Sequence, residues 1–511
     1  MELKLDKKSA VCIYDALDRE ITQPAEHDFI LPDYCPDIFR VLRCSITPAV
    51  STSGVGGGRL SLDMNIIIRV IYRSENGTVG CVEHTGQFTR SVDVPADTET
   101  PFVSLATSVQ SSTCRVVDKR RLEVRGNVVC RVRIEAGRSC QLICGAAGGG
   151  VQIRRQPVVF PEKRLTAARR ITVVDELELA EGKPSPGAVL HCGVTVSGGD
   201  GSRSVRLKIV PGKLVTKGEA TVQMLYLPKE QGRQPESMRF TIPFSQVLDI
   251  DGLSEEYDVR AEIEPAGFTV TPKAEDNTLE CELVLTANVC ATKYESAELV
   301  TDAYSTRYET ACETAPGLAR SPGRRIGAGA TAKCTLSSPD GGIVQVYGVW
   351  CENLNLFSRC GENGDGLVYG KVTFCLLGKL ADGTACCCER EAAFEQTVRH
   401  DGCADEMTGA QVRAAVPECS YTLSDDGTVR AKAELDITLT AAAAESPAVL
   451  SAITLDESKP KKAEGRCAAK IVFSEAGGDL WETAKKYSTE AAAIADENPA
   501  DSRVTIIPVI R

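Results

Sequence analysis

Residues 64–72 read MNIIIRVIY, an almost unbroken apolar run of strand length. Such a run is expected of a β-strand covered on both faces. The same kind of stretch returns as TVQMLYL (221–227) and VTFCLLG (372–378). After each comes a segment centred on phenylalanine: GQFTRSVDVP (86–95), IPFSQVLDIDG (242–252) and AAFEQTVRHDG (392–402). After each of those, an Asp-bearing turn leads into an alternating strand: VVDKRRLEV (116–124), AEDNTLECEL (274–283) and SDDGTVRAKAEL (424–435). Phe88, Phe244 and Phe394 are 156 and 150 residues apart, too far for a solenoid repeat. The pattern predicts three copies of one β domain.

Other signals agree. The turns are rich in Gly, Asn and Asp, as in SENGTVG (74–80), SPDGG (338–342) and GENGDG (361–366). LPDYCPDIFRVLRC (31–44) aligns without a gap with LAEGKPSPGAVLHC (179–192). The first reads as an extended arm turning into a short helix at Pro36 and Asp37. SPGRRIGAG (321–329) is the nearest third version.

The tail differs. AAKIVFSE (468–475) reads as a strand and DLWETAKKY (479–487) as a helix N-capped by Asp479. Ser488 breaks it, TEAAAIADEN (489–498) reads as a second helix, and VTIIPVI (504–510) closes as a strand. Trp481 is expected to fill the centre of this small module. The predicted fold is mainly β: three β-sandwich-like modules in tandem, then a small βααβ domain. The expected limits are 1–160, 161–311 and 312–457, a linker at 458–465, and the tail at 466–511.

A chain of 511 residues exceeds a single core, and a net charge of −12 argues against a nucleic-acid partner. The N-terminus MELKLDKKSAVCIYDALDRE lacks the apolar core of a signal peptide, and no stretch is long enough to span a membrane. The 22 cysteines are many for a chain without an export signal. They read as small buried hydrophobes, or as exposed thiols, among them Cys386, Cys387 and Cys388, that cross-link an assembly.

No catalytic constellation, cofactor motif or metal cluster stands out. His27, His84, His191 and His400 lie in separate stretches and read as surface or structural residues. GVGGGRL (54–60) and GAAGGGV (145–151) do not join a strand to a helix as a phosphate loop would, and read as hairpin tips. An enzyme is not expected.

FILPDYCPDIFRVL (29–42), the three Phe segments, the alternating strands, ITVVDELELAEGKP (171–184) and AYSTRYE (303–309) resemble the SPOCS domain family. L-W-x-x-A-K-K-Y (480–487) in a β-α-α-β order resembles a LysM domain. The latter resemblance implies a groove lined by Gly477, Gly478, Asp479, Leu480, Asn498 and Pro499. Its ligand would be a protein or a glycan containing N-acetylglucosamine. The usual Thr of that groove is replaced by Asp479, and the second loop is short, which favours a protein. SPOCS domains followed by LysM resemble a family of clostridial spore-morphogenesis proteins. That resemblance implies a scaffold of the spore coat, docked to a morphogenetic ATPase at the forespore surface in the mother-cell cytosol. Peptidoglycan binding at the cell envelope is the alternative it leaves.

Overall fold

The computed structural model describes residues 3–199, 204–230, 232–273, 278–315, 317–318, 321, 323–361, 365–399, 410–441, 446–461, 469–473, 479–497 and 504–508. Its first unit runs β1 (Lys4–Ile30), β2 (Ile38–Gly56), β3 (Arg59–Ser74), β4 (Val79–Asp93), β5 (Glu99–Asp118) and β6 (Arg121–Ala147). The middle three strands form one antiparallel sheet, β2-β3-β4. The first strand returns to pair with the last, giving a second sheet, β1-β6-β5.

The plan recurs. The second unit comprises β7 (Val151–Glu178), β8 (Pro186–Ser197), β9 (Arg206–Val210), β10 (Lys213–Pro228), β11 (Glu236–Asp249), β12 (Tyr257–Pro272) and β13 (Thr278–Ser305). Its sheets are β8-β10-β11, with β9 added beside β10, and β7-β13-β12. The third comprises β14 (Tyr308–Thr314), β15 (Arg325–Leu336), β16 (Ile343–Cys360), β17 (Gly366–Leu380), β18 (Ala385–Val398), β19 (Gln411–Leu423), β20 (Val429–Thr440) and β21 (Leu450–Pro460). Its sheets are β16-β17-β18 and β15-β20-β19.

Alternation explains the packing. Side chains along a strand point to opposite faces in turn. Leu60, Leu62, Ile66 and Ile68 of β3 therefore meet Leu122, Val124, Val128 and Val132 of β6 in one core. Comparable cores fill the second and third units. The predicted three sandwich-like units and the mainly β class are what the structure contains.

The outer strands run on past the sandwiches as ribbons. The start of β1 pairs with the end of β6, the start of β7 with the end of β13, and β14 with β21. A bulge at Ala16 marks the exit from the first sandwich and one at Glu162 the exit from the second. In the third unit the corresponding strands are separate elements, β14 and β15 on one side and β20 and β21 on the other. The three ribbons bury a shared core that includes Leu142, Val158, Phe160, Leu299, Leu318 and Val449.

Their tips lock together. Gly148, Gly149 and Gly150 all have positive φ, and carry the chain from the first unit into the second. The carbonyl of Gly149 accepts from Ser305 Oγ (2.6 Å), and that of Gly150 from the Thr306 amide (2.9 Å). A Cβ at Gly149 would stand 2.3 Å from Leu455 Cδ1, so the third ribbon reaches this turn as well. GAAGGGV, expected as a hairpin tip, is instead a packed turn between two sheets, because β6 pairs with β1 and β5 and β7 pairs with β13.

Two expectations fail. Residues 33–35 form a turn and strand β2 begins at Ile38, so no helix follows Pro36. Arg120 holds this turn open. Its guanidinium donates to Asp37 Oδ1 (2.7 Å) and to the carbonyls of Pro32 (2.8 Å) and Leu31 (3.2 Å). SPGRRIGAG leads into β15, a first strand, so it does not match residues 31–44. The true third version is Gly348–Cys351. Cys44, Cys192 and Cys351 lie opposite Val70, Met224 and Phe374 on the three central strands.

Candidate docking site at the C-terminal tail

The tail runs β22 (Ala469–Phe473), α1 (Leu480–Tyr487), α2 (Ala491–Glu497) and β23 (Val504–Pro508), with β22 and β23 antiparallel. Asp479 caps α1, its Oδ1 accepting from the Trp481 amide at 2.9 Å. Ser488 ends the helix with φ 54°, and its amide turns back to the last carbonyls. The centre is filled by Ala484, Ile494 and Ile507, together with Tyr304 from β13.

Trp481 does not occupy that centre. It lies at the seam between tail and body, edge-on to Tyr304 with ring centroids 4.9 Å apart. Its indole Nε1 donates to Asp302 Oδ2 at 2.7 Å, and Lys485 Nζ donates to both oxygens of the same carboxylate at 2.7 and 2.8 Å. Burial pushes Asp302 up, but Lys485 and Trp481 outweigh it and hold the carboxyl below its ordinary value. Tyr304, 2% exposed, donates its hydroxyl to the Thr489 carbonyl at 2.6 Å. Asp479 Oδ2 pairs with Arg154 Nη1 of β7 at 2.8 Å.

Of the expected groove residues, the structure thus places Asp479 and Leu480 together at the start of α1. Leu480 is 44% exposed, whereas Asp479 is engaged by the cap and by Arg154. Gly477, Gly478, Asn498 and Pro499 lie outside the described residues. Asp302, Tyr304 and Arg154 were not legible as tail contacts. They come from strands far away in sequence, β7 and β13.

A second junction joins all three units. Glu352 of β16 accepts from Arg43 Nη2 of β2 (2.5 Å) and from the indole of Trp350 (2.6 Å), and its Oε1 lies 3.5 Å from His191 Nδ1 of β8. His191 stacks on Trp350 at 4.8 Å, and Arg43 also reaches Glu389 at 2.6 Å. Burial pushes the Glu352 carboxyl up, yet His191 and Arg43 overcome it and bring it down to about 2. Burial lowers His191 against the pull of Glu352. Ile71, Leu225 and Cys375, equivalent residues of the three central strands, pack together beside this cluster.

A cavity of about 270 Å³ opens next to it, lined by His191, Gln223, Glu352, Asn353, Cys351 and Cys419 among others. The sequence kept the histidines apart. The structure brings His191 to a carboxylate of another unit, and stacks His27 on His84 at 3.5 Å within the first. His400 lies outside the described residues. Among the described residues, no group of three or more His, Cys, Asp or Glu is arranged to hold a metal ion. No helix among them is long and apolar enough to cross a membrane.

Residues 202–271 match the family model described as SipL, SPOCS domain. The match covers the second unit from just before β9 to the end of β12. It supports a SPOCS domain in this chain. Neither curated proteins nor solved structures give a significant match.

Proposed function

We propose that this chain is a non-enzymatic scaffold of spore-coat assembly that docks a protein partner through its C-terminal tail. The SPOCS match in the second unit points to sporulation. The interlocked units support the scaffold role, since charged groups of one unit are neutralised by those of another at the seam.

One observation carries the docking role. The outer face of the tail ribbon presents Ile471, 66% exposed, directly opposite Ile506, 36% exposed. An exposed aliphatic pair on a small sheet suits a protein surface. It offers a sugar neither a stacking ring nor hydrogen-bond donors. The resemblance to LysM domains makes a morphogenetic ATPase at the forespore surface the partner to test, with the mother-cell cytosol as the place. The domain limits drawn from the sequence belong to this proposal, with residues 466–511 as the recognition module.

Retention on insoluble peptidoglycan separates this reading from the glycan alternative. Full-length protein and residues 1–465 are both expected in the supernatant. Retention of the full chain alone would favour glycan binding by the tail.

A further inference from the structure

Two pairs of cysteines sit on corresponding strands of different units. Cys44 on β2 and Cys351 on β16 are equivalent, each opposite the middle of its central strand. Their partners, Cys114 on β5 and Cys419 on β19, stand opposite Val124 and Ala433. Strands β2 and β5 belong to different sheets, as do β16 and β19, so each pair faces across the open side of a sandwich. Cys351 Sγ lies 3.9 Å from Cys419 Sγ beside the core of the third unit, and Cys44 and Cys114 both pack against the core of the first.

The second unit lacks the pair. Cys192 holds the equivalent position on β8, but the facing strand β12 carries Phe268 and Val270, which pack into the core. All four paired cysteines are partly exposed, and the 270 Å³ cavity reaches both Cys351 and Cys419. Cys386 and Cys388 are buried, as the reading of the cysteines as small hydrophobes expects and the alternative of exposed cross-linking thiols does not, which turns attention from links between chains to links within one.

We propose that Cys44–Cys114 and Cys351–Cys419 are intramolecular disulfide sites, oxidised by a low-molecular-weight disulfide such as cystine. A thiolate of the pair attacks one sulfur of cystine and releases one cysteine. The second protein thiolate then attacks the mixed disulfide and releases the other. Two protein thiols lose two electrons and two protons, and cystine gains them as two cysteines. Each bond staples sheet to sheet, closing a loop of about 70 residues. Cys12 and Cys140, 2.7 Å apart at sulfur, are outside the proposal. They sit diagonally on adjacent strands of one sheet, where Cα separations of about 7–8 Å exceed what a disulfide spans without backbone movement.

The test is peptide mapping by mass spectrometry of the full chain after cystine treatment, with free thiols alkylated. The expected result is a linked Cys44–Cys114 peptide, a linked Cys351–Cys419 peptide and alkylated Cys192, with a mass loss of about 2 Da per bond on a monomeric chain. Cys44→Ser should remove only the first link and Cys351→Ser only the second. Alkylation of all four cysteines after treatment, or their linkage to other cysteines or between chains, would overturn the proposal.

Discussion

Glu352 is the residue on which three units converge. Its carboxylate is largely buried and receives Arg43 from the first unit, His191 from the second and Trp350 from its own. The bridge to Arg43 is costly to break from one side, because the other charge is left desolvated. Arg43→Ala should therefore destabilise the chain by about 3 kcal/mol, read as a lower midpoint in urea. Glu352→Gln, which keeps the shape, should cost less. The pH dependence has a definite sign. The folded Glu352 carboxyl titrates at about 2, below its ordinary value of 4.5. Its contribution is fully present above about pH 4.5 and is lost as pH falls towards 2. Acid should therefore loosen the wild-type seam in that window, and the Glu352→Gln variant should show a flatter stability profile there. None of this was legible in the sequence. Arg43, His191 and Trp350 are structural equivalents that share no chemistry, so the third copy of the motif was hidden behind a tryptophan.

At the scale of the elements, the Phe markers gain a physical meaning. Phe244 and Phe394 lie directly opposite Gly218 and Gly370 on the central strands, and their rings cover those glycines. A Cβ at Gly218 would sit 2.5 Å from the Ser197 carbonyl and 2.8 Å from the Phe244 ring. At Gly370 it would sit 2.1 Å from the Asn355 carbonyl. Backbone cannot yield there, so Gly218→Ala and Gly370→Ala should each destabilise the chain by about 2–3 kcal/mol, measured by chemical denaturation. The strands, their alternation and the repeat period were legible because they are local. The bulges and the ribbons were not. They depend on pairing such as Ile13 with Gly137, whose partners are separated by most of a unit. The tail shows the same division. Its βααβ order and the Asp479 cap can be read off the sequence, whereas its seat on β13 cannot. Asp302→Asn should weaken the hold of Lys485 and Trp481. In a Trp350→Phe background, where Trp481 is the sole tryptophan, its fluorescence should shift to the red, as solvent reaches the indole.

At the scale of the whole molecule, three sandwiches are held at two places: the junction at Glu352, and the ribbon core with its interlocked tips. Further ties, such as Arg413 of the third unit to Glu262 of the second and Ser104 of the first (2.7 Å each), close the seams between them. Among the described residues the helices lie in the tail, whose ribbon carries an open aliphatic face. On the proposed function, scaffold and recognition fall to different parts of the chain. Imaging of fluorescent fusions in sporulating cells tests that division most directly, comparing the full chain, residues 1–465 and the full chain with Ile471→Asp. The full chain should ring the forespore, while the truncated and substituted chains should remain diffuse in the mother cell. A ring formed equally well by residues 1–465, or label spread over growing cell walls, would contradict it.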